Sequence, residues 1–326
     1  MTIAPSVTPD GVEATKPRRR PAGRRQPLRA RDTRSALLFI SPWIIGFLVF
    51  TAWPIINSLY LSFTDYDVLT DANFVGVDNY VQLFNDPKVA SSLTNTLIFA
   101  LIKVPVIMVV ALALALLLNQ ATQRTAGFFR TVFFIPNMTP TVAVGVLFLL
   151  LFNGNQGLIN GVLGVFGIQG PAWTTDPGWV KVGLVLISLL TVGGSIIILL
   201  AAIRNVPVEL YESARIDGAN FWQQTIKITI PMISPNLFFV FIVDSIAALQ
   251  TFTEAYTAFS NTDTSGGFSN SGALFYAIYL FQQAFSFLHM GYASAMAWIL
   301  FLIVMVITAV QFIVSRRFIY YEGDQS

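Results

Sequence analysis

Between Ser35 and Thr64 the chain carries no charged residue, and most of these 30 positions are apolar. About 20 apolar residues cross a bilayer, so this run has length to spare. It is too long for the apolar core of a cleaved signal peptide, which is about 7–15 residues. Comparable runs recur to the end of the chain. Of the 326 residues, 55% are apolar and only 11% are charged, where a soluble domain carries about 25% charged residues. Twelve of the 36 charged residues lie in residues 1–34, which leaves 24 for residues 35–326. A water-soluble globule of that size would have too few charges to cover its surface. The chain therefore reads as a polytopic, all-α membrane protein. The absence of cysteine excludes disulfides and thiolate chemistry, and a single histidine, His289, excludes a His-rich metal site.

Residues 1–34 hold nine Lys and Arg with no apolar periodicity. They read as a disordered basic tail. Positive charge before a first span holds the N-terminus in the cytoplasm, which is the preferred reading over a nucleic-acid arm. Spans are expected at 35–64, 94–119, 130–152, 180–203, 232–253 and 291–315. Residues 65–88, 153–179 and 254–272 read as outside loops, and 122–130 as a short basic turn. The transmembrane domain is thus 35–320, with a C-terminal tail over 321–326. The aromatic stretch 273–290 is nearly long enough to cross. With six spans, 16 Lys and Arg fall on the cytoplasmic side against Lys88 and Lys181 outside. That bias favours six spans with both termini cytoplasmic, and 273–290 as an interfacial or re-entrant helix.

Residues 204–231 form the only long charged segment in the interior. Pro207 suits a first helical position, and Glu209 and Glu212 favour the positive end of a helix. Tyr211, Ala214 and Gly218 fall at i, i+3 and i+7 on one face, where Ala214 and Gly218 would leave a shallow notch.

The string Glu212-Ser213-Ala214-x-x-Asp217-Gly218-Ala219, followed by Ile228-x-x-Pro231, resembles the EAA motif of permease subunits in bacterial ABC importers. Ser213 stands where that family has a second alanine, and Thr225 where it usually has Phe. Further stretches resemble the carbohydrate, maltose-permease-like branch. They include Ser62-Phe63, Asn79-Tyr80, Asp86-Pro87, Asn95-Thr96, Ile135-Pro136, Gly157 to Asn160, Gly266-Gly267 and Gly291 to Ala295. The resemblance covers roughly residues 36–320.

The resemblance implies that Glu212, Ala214, Asp217, Gly218 and Ala219 lie on a cytoplasmic coupling helix seated in an ATP-hydrolysing subunit. It implies a second related permease, two ATPase subunits and an extracytoplasmic solute-binding protein as partners, in the lipid of a bacterial inner membrane. The chain lacks a G-x-x-x-x-G-K-[ST] phosphate loop. It is thus read as a transport subunit and not an enzyme, with no cofactor of its own and with ATP and Mg on the partner ATPase.

Charges inside spans are functional candidates. At about 100° per residue, Ala247, Gln250, Thr251 and Glu254 fall within one stripe around Asp244, which suits a path for a hydroxylated solute. Helix packing or a contact with the second permease is the alternative. Ser188, Thr191 and Ser195 share a face of the fourth span, read first as helix packing and second as a solute contact. Lys103 is expected to snorkel outward rather than to pair with a membrane carboxylate such as Asp244, and the aromatic run Phe275–Phe287 to serve as an outer gate or interface cover. Together these point to the permease of a neutral-sugar importer. An importer of another polar solute such as glycerol phosphate, or a secondary transporter, stays as the alternative. An intramembrane enzyme has no visible catalytic constellation to support it.

Overall fold

Helices form wherever the apolar runs are long enough, and prolines and capping residues set where they stop. The computed structural model describes residues 30–154, 157–259 and 271–316, with side chains from 37 onward. Contacts divide the chain into two units, Met1–Ile55 and Ile56–Ser326.

The first unit holds α1 (Ala30–Phe47), which continues as a π-helical turn over Leu48–Ala52. The last five residues of the expected disordered tail are therefore helical. The rest of that tail lies outside the described residues, as do Gly266-Gly267 and the tail at 321–326.

After α2 (Trp53–Leu61), β1 (Thr64–Asp65) pairs antiparallel with β2 (Asn73–Phe74). The expected outside loop at 65–88 thus carries structure, including α3 (Asp78–Asn85). α4 (Pro87–Gln120) is 34 residues long and begins seven residues earlier than the apolar run indicates. Its start is fixed by Asp86, whose side chain accepts from the Lys88 amide at 2.8 Å, with Pro87 at the first helical position.

The expected basic turn at 122–130 is the start of α5 (Gln123–Phe134), capped by Thr122. A 3-10 turn, Ile135–Met138, leads to α6 (Thr141–Phe152). The two halves meet at 98°, so the third span is a broken pair rather than one helix. Pro136 and Pro140 explain the break, because each removes a backbone donor and disfavours helix in the residue before it. The expected loop at 153–179 contains α7 (Leu158–Val165). The fourth span is likewise bent, by 55°, between α8 (Pro177–Ser188) with its 3-10 extension and α9 (Gly193–Arg204).

α10 (Val208–Ile216) and α11 (Phe221–Gln224) precede a π-helical turn, Thr225–Thr229. α12 (Ile230–Met232) and α13 (Ser234–Leu249) follow. The expected loop from Glu254 opens instead as α14 (Thr253–Phe259), with Ala255, Ala258 and Phe259 buried. α14 packs on α6 across Gly145, where a Cβ would lie 2.8 Å from the Glu254 carbonyl oxygen. α15 (Tyr276–Phe281), a π-helical turn over Gln282–Ser286 and α16 (Met290–Ser315) complete the fold.

Among the described residues, four helical stretches are long and apolar enough to cross a membrane: Leu37–Leu61, Pro87–Gln120, Ser234–Phe259 and Met290–Ser315. Counting each bent pair as one crossing gives six. The 273–290 stretch is not a further crossing, because its α-helix has only six residues. Nor is its first half an interface cover. Phe275, Tyr276 and Ile278 are fully buried, and of its aromatic carbocycles only Phe285 and Phe287 at the far end are exposed.

Apolar burial gains nothing against lipid tails, so packing must be close to hold spans together. Ala111 and Ala115 on α4 are fully buried and pack in one cluster with Ile196, Leu199 and Leu200 of α9. A second cluster joins Phe99, Phe148, Phe152, Trp173, Phe259 and Phe275.

Candidate functional site

α10 stands out because none of its residues is buried, although Val208 and Ile216 are apolar and Ile216 is 87% exposed. Pro207 is the residue before the helix and not its first position. The helix ends at Ile216, and Gly218 adopts φ +76°. The Gly218 amide donates to the Arg215 carbonyl at 3.0 Å and the Ala219 amide to the Ala214 carbonyl at 2.9 Å. This is a Schellman turn, in which glycine takes the left-handed position without a Cβ penalty. Gly218 therefore does not form a helical notch with Ala214 as the spacing indicates. It turns the chain, with open space around it. Glu212, Asp217 and Gly218 are exposed, while Ala214 and Ala219 are half-buried.

Side-chain hydrogen bonds tie this turn to the next span. Asn220 and Gln223 form a reciprocal capping box at the start of α11. Gln224 Nε2 donates to the Ala219 carbonyl at 2.8 Å. The Tyr211 and Thr229 hydroxyls are 2.9 Å apart. Thr225 is buried within the π-helical turn.

The second candidate site lies among the spans. Ser195 Oγ on α9 donates to Asp244 Oδ2 on α13 at 3.4 Å. Lys103 lies in the middle of α4 and is half-buried. Its ammonium sits 5.3 Å from the Phe99 ring centroid, within the fields of Glu254 first and Asp244 second. Three spans thus contribute one ammonium, two carboxylates and a hydroxyl. The helical phase that places Gln250, Thr251 and Glu254 beside Asp244 does not persist, because α13 ends at Leu249. Gln250 is exposed. Thr251 is buried and donates to the Ala247 carbonyl at 3.3 Å. Glu254 belongs to α14, half-buried. Ser188 and Thr191 are brought to the same bend, yet each hydroxyl donates to its own chain, to Val185 and Ser188 carbonyls. Ser195 lies beyond the 55° bend, on α9.

The other motif residues act as backbone clamps. Asn79 Nδ2 donates to the Ser62 and Thr64 carbonyls, and the Tyr80 hydroxyl meets Ser62 Oγ at 2.8 Å. Asn95 Nδ2 donates to the carbonyls of Ser271 and Leu274, and Thr96 Oγ1 accepts from the Tyr276 amide at 2.9 Å. Asn160 bridges the Gly154 and Pro171 carbonyls and accepts from Trp173 Nε1. Asp86 Oδ2 accepts from both Tyr279 and Tyr292 hydroxyls. His289 precedes α16 with Nδ1 3.0 Å from Gln283 Oε1. These clamps escape sequence reasoning, whereas a pairing of Lys103 with Asp244 is weighed there and set second to snorkelling. The signal for the cluster is present, as single charges within two apolar runs.

Broken spans, an exposed helix between two crossings and ionisable groups at mid-span fit a membrane transport permease. The chain belongs to the family of binding-protein-dependent transport system inner membrane components, whose model matches residues 107–320. It is 40% identical over 298 residues to the probable ABC transporter permease protein YesP of Bacillus subtilis, covering 90% of this chain and 94% of that one. It is 36% identical to the lactose transport system permease protein LacF of Rhizobium radiobacter, over 86% of this chain and 93% of that one. The arabinooligosaccharides transport system permease protein AraP of Bacillus subtilis is 32% identical, over 86% and 88% of the two chains. Among solved structures, a bacterial ABC transporter for import of the polysaccharide alginate matches with a TM-score of 0.76. Its identity is 24%, over 87% of this chain and 96% of that one. At that identity the likeness concerns the fold.

Proposed function

We infer that the chain is the permease subunit of an ATP-driven, binding-protein-dependent importer of a neutral sugar or oligosaccharide in a bacterial inner membrane. The observation that carries the reading is α10 with its glycine turn, a helix with no buried residue and with Val208, Leu210 and Ile216 exposed among the described residues. In this reading Glu212, Ala214, Asp217, Gly218 and Ala219 present that helix to an ATP-hydrolysing subunit on the cytoplasmic side. ATP and Mg are held there, and this chain holds no cofactor. A second permease, a pair of ATPases and an external solute-binding protein complete the assembly, and both termini lie in the cytoplasm over domain limits of 35–320.

Cargo passes the cluster of Lys103, Asp244 and Glu254. Two carboxylates, Asp244 and Glu254, stand here against one lysine, Lys103. That balance disfavours an anionic cargo such as glycerol phosphate, and hydroxyl-rich sugars match its donors and acceptors. Ser188, Thr191, Gln250 and Thr251 are secondary path candidates. The sugar assignment draws support from the lactose and arabinooligosaccharide permeases among its relatives. The test is uptake of a radiolabelled saccharide panel by cells with and without the gene. Uptake is expected to stop when ATP is depleted and to survive an uncoupler while ATP is maintained. Uptake that follows the ion gradient instead of ATP sinks the reading.

A further inference from the structure

A cavity of about 340 Å³ opens where α4, α9, α10 and the π-helical turn at Thr225–Thr229 converge. Its walls carry Arg204, Arg215, Asn119 and Gln120, and none of the described residues that line it is acidic. Neither arginine is paired with a carboxylate among the described residues, and the Asn119 and Gln120 amides make no hydrogen bond there. The two guanidinium groups and the two amides are exposed in the lining of one cavity, and arginine binds phosphate through paired N–H donors. Tyr211, Thr229 and Gln224 are occupied with one another and with Ala219, so they fix the cavity rather than compete for its occupant.

The rest of the lining says where that phosphate comes from. Leu116 and Ile203 belong to the last turns of two apolar helices, and Arg204 ends one of them. The cavity therefore has an apolar wall continuous with the spans and a basic mouth at their end. That is the depth of a lipid headgroup, and basic pockets between membrane helices take anionic headgroups. We propose that this cavity binds the phosphate headgroup of an anionic phospholipid, with its acyl chains running along α4 and α9. Because Arg215 lies on α10 and Arg204 on α9, the headgroup bridges the exposed helix and a span. The inference needs α4 and α9 to lie in the membrane and is independent of the cargo.

The transporter complex, purified through the full-length chain, is placed in nanodiscs of phosphatidylcholine, with or without phosphatidylglycerol. Amides at 116–120 and 204–216 are expected to gain hydrogen-exchange protection with phosphatidylglycerol and not with excess inorganic phosphate. Native mass spectrometry is expected to find phosphatidylglycerol retained by the wild type on the order of tenfold better than by an Arg204→Gln/Arg215→Gln variant. Thr225→Phe, which fills the cavity and leaves both arginines in place, is expected to lose the lipid as well. Unchanged protection in the wild-type arm overturns the proposal without reliance on any variant. Equal displacement by inorganic phosphate overturns it in favour of a soluble anion. Retention of lipid by the double arginine variant with loss of the ATP-hydrolysing subunits overturns it in favour of an acidic protein surface. A chain that imports no saccharide but retains the lipid leaves this proposal standing and removes the cargo assignment.

Discussion

The Tyr211 hydroxyl on α10 and the Thr229 hydroxyl in the π-helical turn lie 2.9 Å apart. This is the side-chain hydrogen bond that joins the exposed helix directly to the chain entering α13. A neutral bond of this kind contributes about 1 kcal/mol net. Tyr211→Phe is expected to lower the stability of the complex by about that amount and to reduce transport per ATP hydrolysed. A variant that transports as efficiently as wild type would remove this bond from the coupling route.

Gly218 offers a separation of two roles. Its φ of +76° is tolerated by Asn and Asp better than by other residues. Gly218→Asn is therefore expected to keep the turn and much of the transport. Gly218→Asp keeps the same turn but adds a charge to the surface offered to the ATPase, and is expected to abolish transport with membrane insertion intact. Normal uptake by the Asp variant would show that this turn does not meet a partner.

Lys103 lies within electrostatic reach of Glu254 and Asp244. Lys103→Met leaves two carboxylates without a cation, at a cost of about 2.5–3.5 kcal/mol for a charge at mid-membrane. The double variant Lys103→Met/Asp244→Asn removes one of those charges and is expected to recover part of the lost melting temperature. Asp244→Ala alone is expected to shift cargo affinity more than complex assembly. Additive melting shifts in the two single variants would mean that the groups do not interact.

The Tyr279 phenol donates to Asp86 at 2.5 Å. Burial first, and then the Asp86 hydrogen bond and charge, hold it above the usual tyrosine range. An unfolded tyrosine ionises near pH 10. The contribution of this group is thus complete below about pH 10 and is lost as pH rises from there toward the folded value. Alkaline unfolding should be steeper for wild type than for Tyr279→Phe above about pH 10. Parallel curves would show that the phenol does not feel Asp86.

Much of this architecture is legible in the apolar runs, which overlap the four long apolar helices and the two bent pairs among the described residues. What they hide is continuity. A bent pair has the same hydropathy as a straight span, and only Pro136 and Pro140 mark the sharper bend in advance. The string around Glu212–Ala219 is visible in the sequence, but a glycine there serves clearance or a left-handed turn equally well, and only the backbone angle decides. Lys103 illustrates a different limit. Apolar residues surround α4 on all sides, so its periodicity selects no face, and the direction of the lysine depends on how the helix is rotated against α13 and α14. The clamps by Asn79, Asn95 and Asn160 act on carbonyls up to 179 positions away in sequence, and no local pattern announces them.

Ile233 interrupts the helix between α12 and α13 and is buried in the core cluster shared with α4 and α9. It makes a fulcrum. On one side, the capping box, the Gln224 bond and the Tyr211–Thr229 bond make a stiff short arm. On the other, the 11 residues to Asp244 form a long arm of about 16 Å at 1.5 Å per residue. A tilt of about 10° about that point would carry Asp244 through about 3 Å. That displacement is nearly the 3.4 Å length of its bond to Ser195. If the proposed coupling to an ATPase holds, a small stroke delivered outside the bilayer would be converted into the making or breaking of one polar contact at its middle.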